Sequence, residues 1–567
     1  SVLPCRDAGT TLRDTPNKWR VKDEQLREFF SALLKARWRS TCLFTCRYQW
    51  EELSKLPAGS FLEIELPALT LRQALMLMNN LPRLRDAELS DKCAAYKKVG
   101  GHPKTIELLE GFLADHSLAE VLNNEEIGEQ LTQEWEQYFL KALLEQLSED
   151  ERKKLEGLCV FSSAFDLDAV KVFDGNLALM NRLRSLSLAQ QEAPMPDGKS
   201  RYNIHPVVRE GVFSRLSKEE KDWRHLQAAE YYKLRLDQLQ QESGGVEMAD
   251  VLEYRAHLFT AGFYEGAGQI VTEILPILNQ WGQLDLAEDL LQQSIVRLKG
   301  VNKEVARMNM ATLLSNKGRL DDALQIYEEV YPIFEALDTK QQISTVLAQQ
   351  GKIYLLQGNY ERAITKYEAS LKIQREIENE YGQAICLDQL SVIYRHQGDQ
   401  VEGKTAQELY NKALQTNEEG IEIARKLSNA PLIAIMLQHQ GWVLGELDHH
   451  NEAYQRLLES LQISERINNQ SVMAETLTAI GIFLRGAGQL GEAADAFNEA
   501  LEIHQRLDNP LRIGSNLYNL GGIHELQKGY DAALEKYEQA LILLQKYGSP
   551  HDVDITKQGI ARVRSKM

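Results

Sequence analysis

One stretch of this 567-residue chain spells a phosphate-binding loop: Gly398-Asp-Gln-Val-Glu-Gly403-Lys404-Thr405 matches G-x-x-x-x-G-K-[ST] letter for letter. Such a loop holds a nucleotide only where it follows a buried strand and opens a helix, so that successive backbone N–H groups surround the phosphates. Here LDQLSVIYRHQ, a helical pattern, precedes it, and Asp399 and Glu402 would repel a triphosphate. The context predicts an ordinary inter-helix turn at Gly398 rather than an ATPase loop. The six cysteines (Cys5, Cys42, Cys46, Cys93, Cys159, Cys386) contain no CxxC pair, which points to reduced structural thiols and away from a disulfide framework or a zinc site. No Cys–His or Ser–His–Asp arrangement with a recognisable local motif occurs. No catalytic residue and no metal site is assigned.

The elements that must position any site are set by an internal repeat. KGRLDDALQIYEEV, QGNYERAITKYEASLKI, AGQLGEAADAFNEALEI and QKGYDAALEKYEQALIL share a Gly, then an aliphatic residue or Tyr, then an Ala followed by Tyr or Phe four residues on. The alanines Ala323 and Ala363, then Ala453, Ala493 and Ala533, recur every 40 residues, and NKALQTNEEGIEIARKL aligns through Ala413 after a ten-residue insertion between Gly398 and Ala413. The insertion is expected as a helix extension or a surface protrusion. Each unit shows two runs with apolar residues at i, i+3, i+4 and i+7 joined by a Gly-containing turn, which predicts a helical hairpin. Ala at the fixed site, and Gly351, Gly441, Gly481 and Gly521 on the first helices, let the helices approach closely; the aromatic after Ala is expected to fill space against the next hairpin. Hairpins of this kind must stack to bury both faces. GFYEGAGQI around Ala267 and GQLDLAEDLL around Ala287 read as degenerate units that begin the array, and residues 551–566 as a polar helix that caps it.

This pattern resembles the tetratricopeptide repeat (TPR), in a 40-residue form, over roughly residues 300–548. The resemblance implies a ligand on the inner face of the first helices. Carried over by position, it assigns Asp388, Arg395, His396, Gln438, Trp442, Glu475, Arg485 and Tyr518 to a concave wall, where aromatic and Arg side chains would anchor a protein or peptide. The Asn row that some family members use on extended peptides is only partly kept, as Asn309, Gln349, Gln389, His439, Ala479 and Asn519.

Ahead of the array three blocks follow one another. KDEQLREFFSALLKA reads as a helix and STCLFTCRY as a strand ending in Thr45-Cys46-Arg47, before LEIELPALTLRQALMLM. Gly100-Gly101-His102-Pro103 opens a helix, KTIELLEGFL. Residues 147–215 read as a helix, a short strand, the helix LMNRLRSLSLAQ and a hairpin turning at Asp197-Gly198 with RYNIHPVV returning, the order of a winged helix.

That succession resembles the STAND signalling ATPases, whose NB-ARC-like modules run from nucleotide-binding domain through helical lid and winged helix to a repeat sensor. The resemblance implies that Arg47 senses a γ-phosphate, that Pro103 within Gly101-His102-Pro103 meets adenine, and that His205 in Tyr202-Asn203-Ile204-His205 meets the ADP β-phosphate and holds a closed state. No Walker A or Walker B pattern precedes Arg47. Residues 1–66 therefore read as an incomplete nucleotide-binding domain, 67–140 as the lid, 141–216 as the winged helix, 217–299 as linker helices with degenerate repeats, 300–548 as the TPR array and 549–567 as the cap. The expected fold is predominantly α, a TPR-type α-solenoid preceded by a winged helix, a helical lid and a partial α/β NTPase remnant. ATP or ADP with Mg²⁺ is expected only with the upstream half of the module present, which would make the intact protein an ATPase switch. The chain as it stands holds no cofactor.

Composition agrees with an ordinary folded protein: 43 % hydrophobic and 26 % charged residues exclude a wholly disordered chain. No apolar run approaches the ~18–20 residues of a membrane span, and no signal pattern opens the chain, so the reading is cytoplasmic. With 64 Lys+Arg against 82 Asp+Glu the net charge is −18, which disfavours nucleic acid as a partner. The leading function is a regulatory signal-transduction protein whose repeats sense a protein or peptide ligand and relieve an ADP-held state, with self-oligomerisation on activation. The alternatives are a TPR adaptor without a nucleotide switch, and a winged-helix DNA-binding regulator using Arg182, Arg184, Lys199 and Arg201.

Overall fold

The computed structural model describes residues 68–125, 127, 131–192, 200–243, 247–507, 509–547 and 550–567, together with three short strands at 13–15, 18–19 and 49–50. Lys18–Trp19 pairs antiparallel with Arg13–Thr15 and parallel with Gln49–Trp50. Arg47, the Asp197-Gly198 tip and Lys199 lie outside the described residues, as does most of 1–66. The chain forms two compact units, Ser1–Ile270 and Val271–Met567.

Local signals explain the helices of the first unit. Thr70 and Gln73 cap each other at the start of Leu71–Asn80, and Ser148 and Glu151 do the same at Glu149–Leu158. Helices Pro103–Phe112 and Thr132–Glu145 bring Phe112, Trp135 and Phe139 into one aromatic core. Helix Leu177–Ser185 stops earlier than its apolar pattern suggests, because Ser187 turns to φ 57° and Ala189–Gln191 begins a strand antiparallel to Tyr202–Ile204. The short strand expected before that helix is reduced to a single bridge, Phe165 to Tyr202. Helices Pro206–Phe213, Lys218–Ser243 and Met248–Thr260 follow.

The second unit is the repeat array. From Gly300 onward its described residues form six helical hairpins, from Gly300–Asn316 with Leu320–Ala336 to Pro510–Leu526 with Tyr530–Tyr547, and the closing helix Pro550–Arg564. Helices of 17 residues alternate with three-residue turns. At each fully described three-residue turn one residue takes positive φ, as Gly318, Asp338, Gly358, Glu378, Ser428, Asp448, Asn468, Gly488 and Lys528 do (49–80°). The following amide then bonds the carbonyl five residues back, Asn359 to Tyr354 at 2.8 Å and Asn469 to Ser464 at 2.9 Å. Those same asparagines cap the next helix, accepting from the Arg362 and Val472 amides, so one residue closes one helix and opens another. The third hairpin absorbs the insertion by lengthening: its helices run 19 and 23 residues, Glu380–Gly398 and Lys404–Lys426.

The six marker alanines are fully buried. The residue four positions after Ala has a second contact that was not expected. Tyr367, Leu457, Phe497 and Tyr537 lie against Gly351, Gly441, Gly481 and Gly521 of their own hairpins, where a Cβ on the glycine would stand 2.7–2.8 Å from the ring or side chain. The small residue and the large one are thus a matched pair within a hairpin, and the large one also packs on the following element: Tyr367 clusters with Cys386 and Leu387, and Tyr537 with Ile560. Ala267 and Ala287 fall on successive helices, Tyr264–Gln280 and Leu284–Arg297. No described helix is long and apolar enough to cross a membrane.

Candidate functional site

The first helices of the third to sixth hairpins carry a chain of polar contacts that crosses from one repeat to the next. Asp388 on Glu380–Gly398 is only 3 % exposed; its Oδ1 lies 2.7 Å from His439 Nδ1 on Ala430–Glu446, and Gln389 donates to Oδ2 at 3.1 Å. A buried carboxylate is tolerated because both oxygens accept. Burial works against a charged His439, but the Asp388 charge and hydrogen bond outweigh it and hold the imidazole above its ordinary value; Arg395 opposes and Glu475 assists. Glu475 on Gln470–Gly486 pairs with Arg512 Nε on Pro510–Leu526 at 2.6 Å, and burial raises its carboxyl despite Arg512 and His439. Asp388, His439, Glu475 and Arg512 therefore alternate in sign along four successive first helices. Trp442 and Phe483 join two of these helices at 6.1 Å between ring centroids, and Arg485 donates to Asn519 Oδ1 at 3.3 Å across the next pair.

Of the eight residues assigned from sequence, Asp388, Trp442, Glu475 and Arg485 take part in these cross-repeat contacts, and half-buried Gln438 precedes His439 on the same helix. Arg395 pairs with Asp399 at 3.1 Å and touches His396 at 3.2 Å. His396 stacks on Tyr360 (8° between planes, centroids 6.1 Å), and Tyr518 packs on Tyr537 (5.4 Å); both are drawn to second helices. Sequence reasoning noted His439 only as a departure from the Asn row and missed Arg512. The first was legible as a basic residue in a row of amides. The second lies six residues before Tyr518, in a row with no other charge, and gave no signal.

The N-terminal assignments each have a defined local role. A Cβ on Gly101 would stand 2.3 Å from the Leu69 carbonyl oxygen, and the Gly101 carbonyl accepts from the Leu69 amide at 2.8 Å. Pro103 is the first residue of its helix, and His102 Nδ1 lies 3.0 Å from Glu136 Oε1. Lys104 is buried, donating to the Ser187 carbonyl at 2.8 Å and to Glu107 at 3.2 Å; burial lowers its ammonium below the usual lysine range despite Glu107. His205 ends no strand: it is the N-cap of Pro206–Phe213, its Nδ1 accepting from the Val207 amide at 3.2 Å. Arg182 donates to the Gln146 carbonyl and Arg184 to Asn181, so both arginines of the candidate DNA helix are engaged within the unit.

The loop spelled like a phosphate cradle follows a helix, as its context predicts. A Cβ on Gly398 would stand 2.4 Å from the Tyr410 ring, and Asp399 accepts from the Tyr410 hydroxyl at 3.1 Å. The Tyr410 ring thus fills the space beside Gly398, and the Asp399 carboxylate it holds would repel a phosphate. Among the described residues no three His, Cys, Asp or Glu side chains converge as a metal site would need, and Cys93, Cys159 and Cys386 are free thiols.

Residues 302–376, 342–414 and 472–552 match the tetratricopeptide repeat family. The STAND protein (signal transduction ATPase with numerous domains) with a tetratricopeptide repeat sensor from Pyrococcus horikoshii superposes with a TM-score of 0.61 at 14 % identity, over 88 % of this chain and 69 % of that one. The chain has the fold of a STAND protein with a tetratricopeptide repeat sensor. A Rap protein complexed with competence and sporulation factor is similar at a TM-score of 0.39 and 12 % identity, over 62 % of this chain and 97 % of that one. A tetratricopeptide repeat protein from Parabacteroides merdae is similar at 0.37 and 14 % identity, over 52 % of this chain and 98 % of that one. No curated protein matches the chain in sequence. Within this STAND-like fold, the alternating charges described above lie wholly in the tetratricopeptide array.

Proposed function

We propose that the chain is the sensing and regulatory part of a cytoplasmic STAND-type signal-transduction protein. Its tetratricopeptide array recognises a protein or peptide on the face of the first helices, and recognition relieves an ADP-held closed state of an NB-ARC-like module with its lid and winged helix. The observation that carries the reading is the Asp388–His439–Glu475–Arg512 succession with Trp442 beside it. These polar groups span four repeats where a packed solenoid needs none of them for its core. ATP or ADP with Mg²⁺ is the cofactor of this reading, met from this chain by Arg47, Gly101, Pro103 and His205. The Leu69 backbone packs on Gly101, so in this reading adenine would approach Pro103 at the start of its helix, and a phosphate would have to meet the His205 ring at Nε2, since Nδ1 serves the Val207 amide. Nucleotide would supply the energetic bias between closed and open states. The engagement of Arg182 and Arg184 within the unit weighs against the DNA-binding reading.

A peptide-display selection on the chain tests the first half. Selected peptides are expected to lose at least about tenfold in affinity to Trp442→Ala and to Asp388→Ala, as anchor truncations do. Peptides that bind both variants as well as the parent would sink the assignment of this face. The second half is tested on the protein at its natural length: a selected peptide accelerates release of labelled ADP, and an unchanged release rate refutes the switch.

A further inference from the structure

The ten-residue insertion in the third hairpin has no part in the function proposed above. The helices there run 19 and 23 residues, Glu380–Gly398 and Lys404–Lys426, against 17 and 17 in the second hairpin, Lys340–Leu356 and Tyr360–Glu376. The added length lies toward the turn, because Ala363 is the fourth residue of its helix and Ala413 the tenth of its own. At ~1.5 Å per residue, six further residues carry the start of the second helix roughly 9 Å outward. The Gln400 and Val401 amides donate to the Gln397 and Gly398 carbonyls at 3.2 Å, so the first helix also continues outward as a 3₁₀-type turn. Against the turn of the second hairpin this projection leaves a groove of about 570 Å³, within the size range of ligand sites. Gln357, Asn359 and Tyr360 form one wall, and Gln397, Gln400 and Val401 the other.

Four of those six side chains are carboxamides. Gln357 donates to Asp321 at 3.3 Å and Asn359 Oδ1 accepts from the Arg362 amide at 3.3 Å, whereas the Gln397 and Gln400 carboxamides have no partner among the described residues. A carboxamide carries a donor and an acceptor in one plane, as a peptide group does, so a row of them can meet the alternating N–H and C=O groups of an extended backbone. Glu361 on the lining, with Asp399 and Glu402 on the projection, disfavours an anion. The Tyr360 ring and Val401, which is 40 % exposed, offer apolar contact to a small side chain. Tyr360 is also the ring on which His396 stacks, at 8° and 6.1 Å, so the groove opens beside the face carried by the first helices.

We propose that this groove holds an extended, uncharged segment of the sensed peptide, gripping its backbone through the carboxamides beside the anchored part. The inference rests on the reading above only in taking the ligand to be a peptide.

Peptides selected by display on the full chain, and the same peptides shortened from either end, test it. Gln397→Ala combined with Gln400→Ala should weaken them about fivefold or more, the loss of two ordinary hydrogen bonds. Removing the bound segment should cost the parent the same factor and the double variant nothing. Gln357→Ala should weaken them from the other hairpin, and it decides the matter should the double variant show faster hydrogen exchange in Glu380–Gly398. Peptides that bind both variants as tightly as the parent overturn the groove; if they still lose affinity to Trp442→Ala, the sensing face stands without it. Peptides weakened by the groove variants but not by Trp442→Ala or Asp388→Ala support the groove and sink the face. A selection that yields no peptide overturns both. A concentration-dependent dimer of the parent that the double variant abolishes would give the groove to a second copy of the chain and overturn the proposal.

Discussion

Replacing Gly481 by Ala tests the claim that glycine and the large residue after Ala are a matched pair. The new Cβ would stand 2.7 Å from Phe497 Cε1 and 2.9 Å from Cδ1 and Cζ, and Phe497 is fully buried between helices Gln470–Gly486 and Leu490–Arg506. Carbon atoms settle near 3.5–4.0 Å, so the ring or the helix must move by roughly 1 Å. Overpacking of that size costs about 1–3 kcal/mol. Ala also gains about 0.8–1 kcal/mol of helix propensity over Gly. The net expectation is a loss of about 0.5–2 kcal/mol. Gly491→Ala is the control: nothing lies within 4 Å of its Cβ, so it should gain up to about 1 kcal/mol. The first hairpin carries Ala311 at the corresponding position, with Tyr327 four residues after its own Ala, so a wider pair can be built. The penalty at Gly481 comes from forcing that spacing on neighbours cut for the narrower one. Local opening of these two helices by hydrogen exchange is the assay. A Gly481→Ala variant as stable as Gly491→Ala would refute the pairing.

Other outcomes follow from single contacts. Lys528 occupies φ 62°, so Lys528→Gly should raise the stability of the last hairpin by about 0.5–1 kcal/mol in denaturant titration, while Gly358→Ala, at φ 73°, should lose about 1–2 kcal/mol. Glu525 accepts from Arg562, Lys566 and Tyr537, and those hydrogen bonds, Arg562 first, hold its carboxyl down to about 2. Its stabilisation is present above about pH 4.3 and is lost as pH falls through about 2; Glu525→Gln at pH 7 should cost about 1–2 kcal/mol, read as faster exchange in Pro550–Arg564. Burial, and then Arg512, push His504 down to about 4, so it folds neutral and the unfolded chain takes up its proton. Stability of Leu490–Arg506 should be full above about pH 6.5 and fall by about 1–3 kcal/mol as pH drops toward about 4, a slope that His504→Leu removes. Asp388→Asn should lower the NMR titration midpoint of His439, and an unchanged midpoint would show that Asp388 does not hold the proton there.

The repeats were legible because a solenoid uses each residue type in the same place many times over. The Ala of every second helix is buried, and the turn every 20 residues needs one residue that tolerates positive φ and one that caps. Periodicity averages away local accidents such as Glu378 and Lys528, which carry positive φ without any sequence signature. The contact of the large residue with the Gly of its own hairpin was not legible, because position four after Ala is compatible with either neighbour until the Gly opposite is placed. The polar succession was half legible for a related reason: Asp388 and Glu475 stand out in an amphipathic pattern, whereas Arg512, close to a helix start, looks like any solvated charge.

The phosphate-loop spelling and His205 make the same physical point from opposite sides. Eight letters at 398–405 match a nucleotide motif, yet the conformation they adopt is set by Tyr410 and by the helix before them. His205 matches one letter of a family motif, and its environment gives it a capping role that any helix start could use. A motif is informative in proportion to how many independent constraints its context adds. For 398–405 the context subtracts them, since the required strand is a helix. For His205 the context is neutral, because an N-cap and a phosphate ligand use different ring nitrogens. His205→Asn keeps a capping oxygen and removes Nε2, so it should preserve the fold while abolishing any dependence of the natural-length protein on ADP. Equal ADP affinity in that variant would refute the nucleotide contact.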